Sequence, residues 1–315
     1  MFDVTDEANT TSTLSDFEKY VDTVPDLADT LGNFSEITVF VPTNAAFEAF
    51  EKNIAPVVAT NLLTGENTPM WIDHLEDLLN YHVLPIVLPS SDITDGSNEP
   101  TLNEEEIDFT LNDPTTPGDT GIFVNTDAEV VDADIDIVNG IVHVIDDVLL
   151  PPWVSKSIFD IVTDVNPPSE LPVGDNLNLD KLDDKLKEVL IPGDDSDLSA
   201  ILSAPGGYTV FAPTSAAFLN DELKLVDLSI DQLTSVLNYH VVEGVYPESV
   251  LVDDFTLTTL QGEKLRFTST KGVVLDTDGN VIVTTKVNDE TIITPNILAN
   301  NGIVHVIDGV LIPDG

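Results

Sequence analysis

The sequence predicts an α+β fold built twice, and three observations carry that expectation. Residues 139 to 151, Asn-Gly-Ile-Val-His-Val-Ile-Asp-Asp-Val-Leu-Leu-Pro, return at 301 to 313 as Asn-Gly-Ile-Val-His-Val-Ile-Asp-Gly-Val-Leu-Ile-Pro. The interval of 162 residues is far above the roughly 20–50 of solenoid or propeller repeats and matches a whole domain. A strand, a proline-threonine elbow and a helix are also duplicated, at 37–47 and 208–218. After each of two helices ending in Asn-Tyr-His-Val the chain turns into short β-rich runs divided by turn residues. The expected domains are 1–152 and 153–315, each large enough to bury a core.

In chain order, Phe2 to Ala8 reads as a short helix. Ser15 to Leu31 holds another, with Leu14, Phe17, Val21, Val24 and Leu27 near helical spacing. The β-branched and aromatic run Thr38 to Val41 is a strand stopped by Pro42, and Thr43 or Asn44 caps the helix that follows. Leu75, Leu78, Leu79 and His82 share one helix face, as do Ile230, Leu233, Val236, Leu237 and His240 in the second half. Ser229 and Gln232 form a capping box there. The first half carries an insertion of about 13 residues around Lys52 to Ile72. The second half adds an amphipathic helix with Leu179, Leu182, Leu186 and Val189, capped by Asn178, between loops at 166–175 and 192–197.

The β-rich runs are Ile107 to Leu111, Gly121 to Asn125, Lys264 to Ser269, Val273 to Asp276 and Val281 to Lys286, a meander of hairpins. Asp276-Thr-Asp278-Gly-Asn280 has the start of a calcium loop, but Val287 stands where its closing Glu belongs, and a hairpin turn is the simpler reading. Asn139-Gly140 and Asn301-Gly302 read as type I′ turns. The runs after them are apolar except for His143 and His305, which reads as strands buried on both faces. Pro151-Pro152-Trp153 is a stiff junction before a helix at Ser157 to Asp164. Trp153 is expected to bury there and to fix the orientation of the domains.

Composition narrows the function classes. The chain has 57 acidic and 11 basic residues, a net charge of −46, with Asp outnumbering Glu two to one. Such a surface repels nucleic acid and anionic lipid. It suits solubility in a salty medium and attracts divalent cations weakly. With no Cys there is no disulfide framework and no thiolate or Cys-ligated metal chemistry. No apolar run approaches the roughly 20 residues of a membrane span. No secretory signal opens the sequence, so an export signal or lipid anchor is expected to have been removed.

With these residues assembled, the chain resembles a tandem pair of fasciclin (FAS1) domains. Three blocks carry the resemblance: Thr38 to Phe47 with Thr209 to Phe218, Tyr81-His82 with Tyr239-His240, and Asn139 to Asp146 with Asn301 to Asp308. The resemblance implies two wedges of about seven mostly short strands flanked by helices. It also implies an extracellular or surface-anchored adhesion protein with protein or polysaccharide partners, while the acidic composition suits a salt-adapted microbe. In animal members an Asp-Ile pair and the Tyr-His region bind receptors. That makes Tyr81, His82, Asp134, Ile135, Tyr239 and His240 the candidate ligand-binding residues, although the second half has Asn296-Ile297 in place of the pair. A charged strand edge explains the Asp132-Ala-Asp134-Ile-Asp136 run equally well.

A carrier of an apolar ligand such as a carotenoid is the alternative, since some algal members are similarly acidic. Enzymatic activity is not expected, and neither is a cofactor or a metal site. No nucleophile-elbow or His-Glu-x-x-His spacing is present, and four of the five His fall at repeated landmarks. His143, Asp146, His305 and Asp308 are therefore expected to lock each domain's closing strand.

Overall fold

The computed structural model describes residues 14–53, 68–112, 121–163, 179–189, 197–219, 228–275 and 281–314. The helix read at Phe2 to Ala8, the Asn178 cap, the loop at 166–175, the turn at Asp276 to Asn280 and most of the insertion lie outside them. The chain forms two compact units, Met1–Pro151 and Pro152–Gly315.

In the first unit α1 (Ser15–Thr23) and α2 (Leu27–Asn33) precede β1 (Ile37–Pro42), α3 (Asn44–Asn53) and α4 (Thr68–Asn80). The meander then runs β2 (Val83–Leu84), β3 (Asn98–Pro100), β4 (Glu106–Leu111), β5 (Ile122–Val124), β6 (Ala128–Ile137) and β7 (Gly140–Ile145). The apolar period over Ser15 to Leu31 belongs to two helices, because Pro25 has no N–H to donate and Asp26 turns left-handed at φ 63°. Thr43, not Asn44, caps α3, its hydroxyl accepting from Ala46 N–H at 3.2 Å. Asn44 instead accepts from Asp16 N–H at 3.1 Å and so ties α3 to α1.

The second unit repeats the plan with α5 (Ile158–Thr163), α6 (Asp180–Val189), α7 (Leu198–Ser203), β8 (Tyr208–Pro213), α8 (Ser215–Phe218) and α9 (Ile230–Tyr239). Its strands are β9 (Val241–Glu243), β10 (Thr256–Thr258), β11 (Lys264–Leu275), β12 (Val281–Val287), β13 (Glu290–Ala299) and β14 (Gly302–Ile307). The Ser229–Gln232 capping box of α9 is present. The runs read separately at Lys264 to Ser269 and Val273 to Asp276 are parts of one strand, β11, whose pairing with β12 shifts between Lys271 and Leu275. Trp153, in a short 3-10 turn, is only partly buried.

Each unit holds a seven-stranded sheet, in the order β2-β1-β7-β6-β5-β4-β3 and β10-β11-β12-β13-β14-β8-β9. The repeated strand is central and parallel to the first strand of its unit, with Ile37 opposite Gly140 and Tyr208 opposite Gly302. Each sheet curls until its ends meet: Leu102 N–H donates to Val83 C=O and Leu260 N–H to Val241 C=O, both at 2.8 Å. The closing strand is then buried on both faces. In the second unit Ile307 faces the curled sheet's interior with Phe211, Leu265 and Phe267, while Val304 and Val306 pack beneath the helices with Leu186, Leu202 and Leu237. Burial on both faces is why the run is almost continuously apolar.

The type I′ reading of Asn-Gly is corrected. The turn residues are Val138-Asn139 and Asn300-Asn301, since Ile137 pairs with Gly140 and Ala299 with Gly302. Neither Asn139 nor Asn301 has a positive φ. The glycine is needed for close approach: a Cβ on Gly140 would lie 1.9 Å from the Ile37 carbonyl oxygen, and on Gly302 2.0 Å from that of Tyr208. The asparagine holds the helices, Asn139 donating to the Leu31 and Phe34 carbonyls and Asn301 to those of Leu202 and Ala204.

Candidate functional site

His82 follows the last turn of α4 and His240 follows α9, so each ring reaches back along its helix axis. His82 Nδ1–H donates to Leu78 C=O at 2.7 Å, and Nε2 accepts from Leu149 N–H at 3.0 Å. His240 does the same with Val236 at 2.8 Å and Leu311 at 2.9 Å. Each imidazole thus pins the segment after the closing strand to a helix end. Both nitrogens are occupied, which fixes the neutral Nδ1–H tautomer. Burial lowers both pKa values from 6.5 to about 4, against the opposing pull of the carbonyl bond.

The second pair of histidines sits on the closing strand. His143 Nε2–H donates to Leu88 C=O at 2.9 Å and its Nδ1 accepts from Asp134 N–H at 3.2 Å. His305 uses Tyr246 C=O at 2.8 Å and Asn296 N–H at 3.2 Å. The stabilised backbone is unusual, since Asp134 and Asn296 stand at β-bulges with φ of 61° and 59°. Asp and Asn tolerate this left-handed conformation best among residues with a side chain. Burial lowers the pKa of both rings, that of His305 to about 4; in His143 the Leu88 carbonyl and the Asp134 charge oppose the shift.

Asp134 and Asn296 also share a side-chain role. Asp134 accepts from Ser90 N–H at 2.8 Å and from the Ser90 hydroxyl; Asn296 accepts from Glu248 N–H at 2.9 Å. Each binds the first residue of a 3-10 turn. Exchanging Asp for Asn keeps the geometry and removes a charge. Although slight burial would raise the Asp134 pKa, the bonds from Ser90 and the nearby His143 hold it below the ordinary value. Beyond Glu129 the β5 ladder ends, so among the described residues Asp132 to Asp136 pair only with β7. This stretch of charges therefore lies along an edge, although β6 is interior by strand order.

Tyr81 is buried at 4% exposure, its hydroxyl donating to Glu106 C=O at 3.1 Å and accepting from Asn125 at 2.9 Å. Tyr239 is bound likewise by Lys264 and Asn288. Burial raises the Tyr81 pKa; the Asn125 bond lowers it and the charges of Glu105, Asp108 and Asp77 add to the rise. Asp146 accepts from Glu129 N–H and Asp308 from Thr291 N–H, both at 2.7 Å, fastening the two long strands. Asn125, Asn288, Thr38 and Thr209 were not singled out in the sequence. Thr38 joins Ile86 C=O to Leu88 N–H, and Thr209 joins Gly244 C=O to Tyr246 N–H. Their recurrence at matching places in both halves is the signal that finds them.

The candidate ligand-binding residues thus divide. Tyr81, His82, Tyr239 and His240 are buried, whereas Asp134 is exposed and Ile135 half-exposed. Ser90, which binds Asp134, follows a loop with exposed Ile86 and Val87. An apolar depression in the second unit is lined by Leu182, Leu186, Leu202, Val210 and Leu237 with the His240 ring, and its free interior is about 10 Å³. That is room for no more than about one water molecule and far below the roughly 300–1,000 Å³ of small-molecule sites. Among the described residues, no three His, Asp or Glu side chains converge to hold a metal ion.

The fasciclin domain model matches residues 12–151 and 184–313, both units and most of the chain. The chain belongs to the fasciclin domain family. It is 33% identical over 120 residues to an uncharacterised protein of Synechocystis, a match covering 37% of this chain and 81% of that protein. Human periostin is 23% identical over 310 residues, 98% of this chain and 31% of periostin. A solved FAS1 domain pair from the insect cell adhesion molecule Fasciclin I is 19% identical, covering 96% of this chain and 98% of its own at a TM-score of 0.44. The fasciclin pair here thus spans about a third of periostin's length and most of the Synechocystis relative's.

Proposed function

We propose that this fasciclin pair is a non-catalytic, extracellular or cell-surface adhesion protein that binds protein or polysaccharide through exposed surface. One observation carries the reading: both ring nitrogens of His82, His143, His240 and His305 are bonded to main-chain groups of the same unit. A general base or metal ligand needs a free lone pair, and none of the repeated histidines offers one. Ligand contact then falls to Asp134, Ile135 and the Ile86-Val87 loop beside them, with the buried Tyr-His pairs holding that surface in place. Two domains on one chain add avidity where both engage one target.

The test is a screen against glycans and matrix proteins at seawater salt, with and without calcium. Capture of a defined ligand, weakened by Ile86→Asp with Asp134→Ala, supports the reading. Absence of capture in every channel, or capture indifferent to both substitutions, overturns it.

A further inference from the structure

The two sheets present equivalent outward faces with opposite charge. In the second unit Thr256 pairs with Arg266 and Thr258 with Lys264, while Thr268 pairs with Lys286 and Lys286 with Thr291. Leu257, Leu265, Phe267 and Val287 alternate with these and point into the core. The outward face of β10 to β13 therefore shows Lys264, Arg266 and Lys286 among threonines. In the first unit the same register gives Asn98 opposite Asp108, Pro100 opposite Glu106, Thr110 opposite Phe123 and Phe123 opposite Glu129. Glu106 thus stands where Lys264 does and Asp108 where Arg266 does, and all four are exposed.

The reversal follows the chain's charge distribution. Up to residue 151 there are 31 acidic and 2 basic residues, and beyond it 26 and 9. Three of those nine stand on this one face. Arg266 pairs with exposed Asp254, which leaves most of its five donors available. Phe123, half-exposed in the acidic face, offers a ring for a cation to cover.

We propose that copies of this chain associate head to tail, the Lys264–Arg266–Lys286 face of one docking on the Glu106–Asp108–Glu129 face of the next. The opposite charges of the two faces set the orientation. A heterologous contact of this kind leaves one face free at each end, so it extends into chains unless the rotation closes a ring. Charge pairs at contact lie inside the Debye length, whereas repulsion between two copies of net charge −46 acts over longer range. Association therefore strengthens as salt rises from low to seawater levels.

Sedimentation velocity of the full chain over a hundredfold concentration range in seawater salt tests this. The expected result is concentration-dependent growth that either reversal, K264E/R266E or E106K/D108K, weakens about tenfold or more. Mixing the two variants restores association into 1:1 pairs, because the first keeps the acidic face and the second the basic one. All four side chains are exposed, and unchanged melting of each variant confirms folding. A monomer at every concentration, or variants that associate like the parent, overturns the proposal. So does a monomer that captures a sulfated polysaccharide through Lys264 and Arg266, which assigns the basic face to a different partner.

Discussion

Replacing His240 by Gln should flatten the pH dependence of stability in the second unit. In the folded protein burial holds this ring at about 4, against 6.5 when exposed. Between those values the unfolded chain binds a proton that the folded chain does not, so stability falls as pH drops through the window. The full shift corresponds to about 3 kcal/mol, of which about 2 kcal/mol is lost by about pH 5. His305, also near 4, roughly doubles the loss within the same unit, against a total of about 5–15 kcal/mol for a domain. Glu290 acts in the opposite direction, because burial, then Asp308 and Asp289, raise its pKa. A raised carboxyl favours the folded state as pH falls, so the parent's slope is a difference of terms. Comparing parent with variant isolates the histidine. Urea titrations followed by circular dichroism, in about 0.5 M salt to screen surface charge, are run from about pH 7.5 down to about pH 5. The variant should be less stable at the upper pH, having lost the bond to Val236 C=O, yet lose about 2 kcal/mol less on acidification. Parallel slopes would refute the claim that His240 is buried neutral.

Other expectations follow from the same contacts. Gly140→Ala and Gly302→Ala drive a methyl into a paired strand's carbonyl, and each should cost about 3 kcal/mol or more by chemical denaturation. Gly309→Asp brings a third carboxylate to Asp308 and Glu290 and should cost about 1 kcal/mol; adding Glu290→Ala, which recreates the Ala128 and Asp147 of the first unit, should recover most of it in a double-mutant cycle. Asp134→Asn should lower the His143 pKa by removing the charge that opposes burial, read from imidazole resonances by NMR. Raising salt from about 0.05 to 1 M should raise the melting temperature by several degrees. The first unit, with 31 acidic residues against 2 basic, should respond more, followed by the emission of buried Trp71.

The duplication made the fold legible. Strand, elbow and helix recur in order, and propensity places β1, β7 and α9 where they are found. What stayed hidden was tertiary. Asn-Gly looked like a turn because both residues favour positive φ, but the parallel neighbour's carbonyl, not the turn, requires the glycine. The short strands β3 and β10 carry Asn98-Glu-Pro100 and Thr256-Leu-Thr258, too brief for a periodic signal to stand out. Tyr-His stood as a ligand-binding candidate through the family resemblance, because the carbonyls at Leu78 and Glu106 and the Leu149 amide give no sign in the sequence of converging on it. The bulge at Asp134 was legible only as a charge, because its left-handed backbone is set by pairing with β7.

What the two units share and what they do not follow different physical rules. Gly140, Asn139, His143, Tyr81, Thr38 and their partners in the second unit point into packed or hydrogen-bonded interior, where a change leaves a buried group unpaired or a void. Outward positions on the same strands carry no such constraint. There the units differ: Glu106 against Lys264, Asp108 against Arg266, and an exposed Pro85-Ile86-Val87 loop against Glu243-Gly244-Val245, in which Val245 is fully buried. Reversals of sign at matched exposed positions add nothing to the core, and exposed pairs contribute little to stability. Packing therefore accounts for the shared residues and leaves the outward ones unexplained. Their chemistry has to be read from what meets the surface, which here means partners selected by charge and by the few apolar side chains left uncovered.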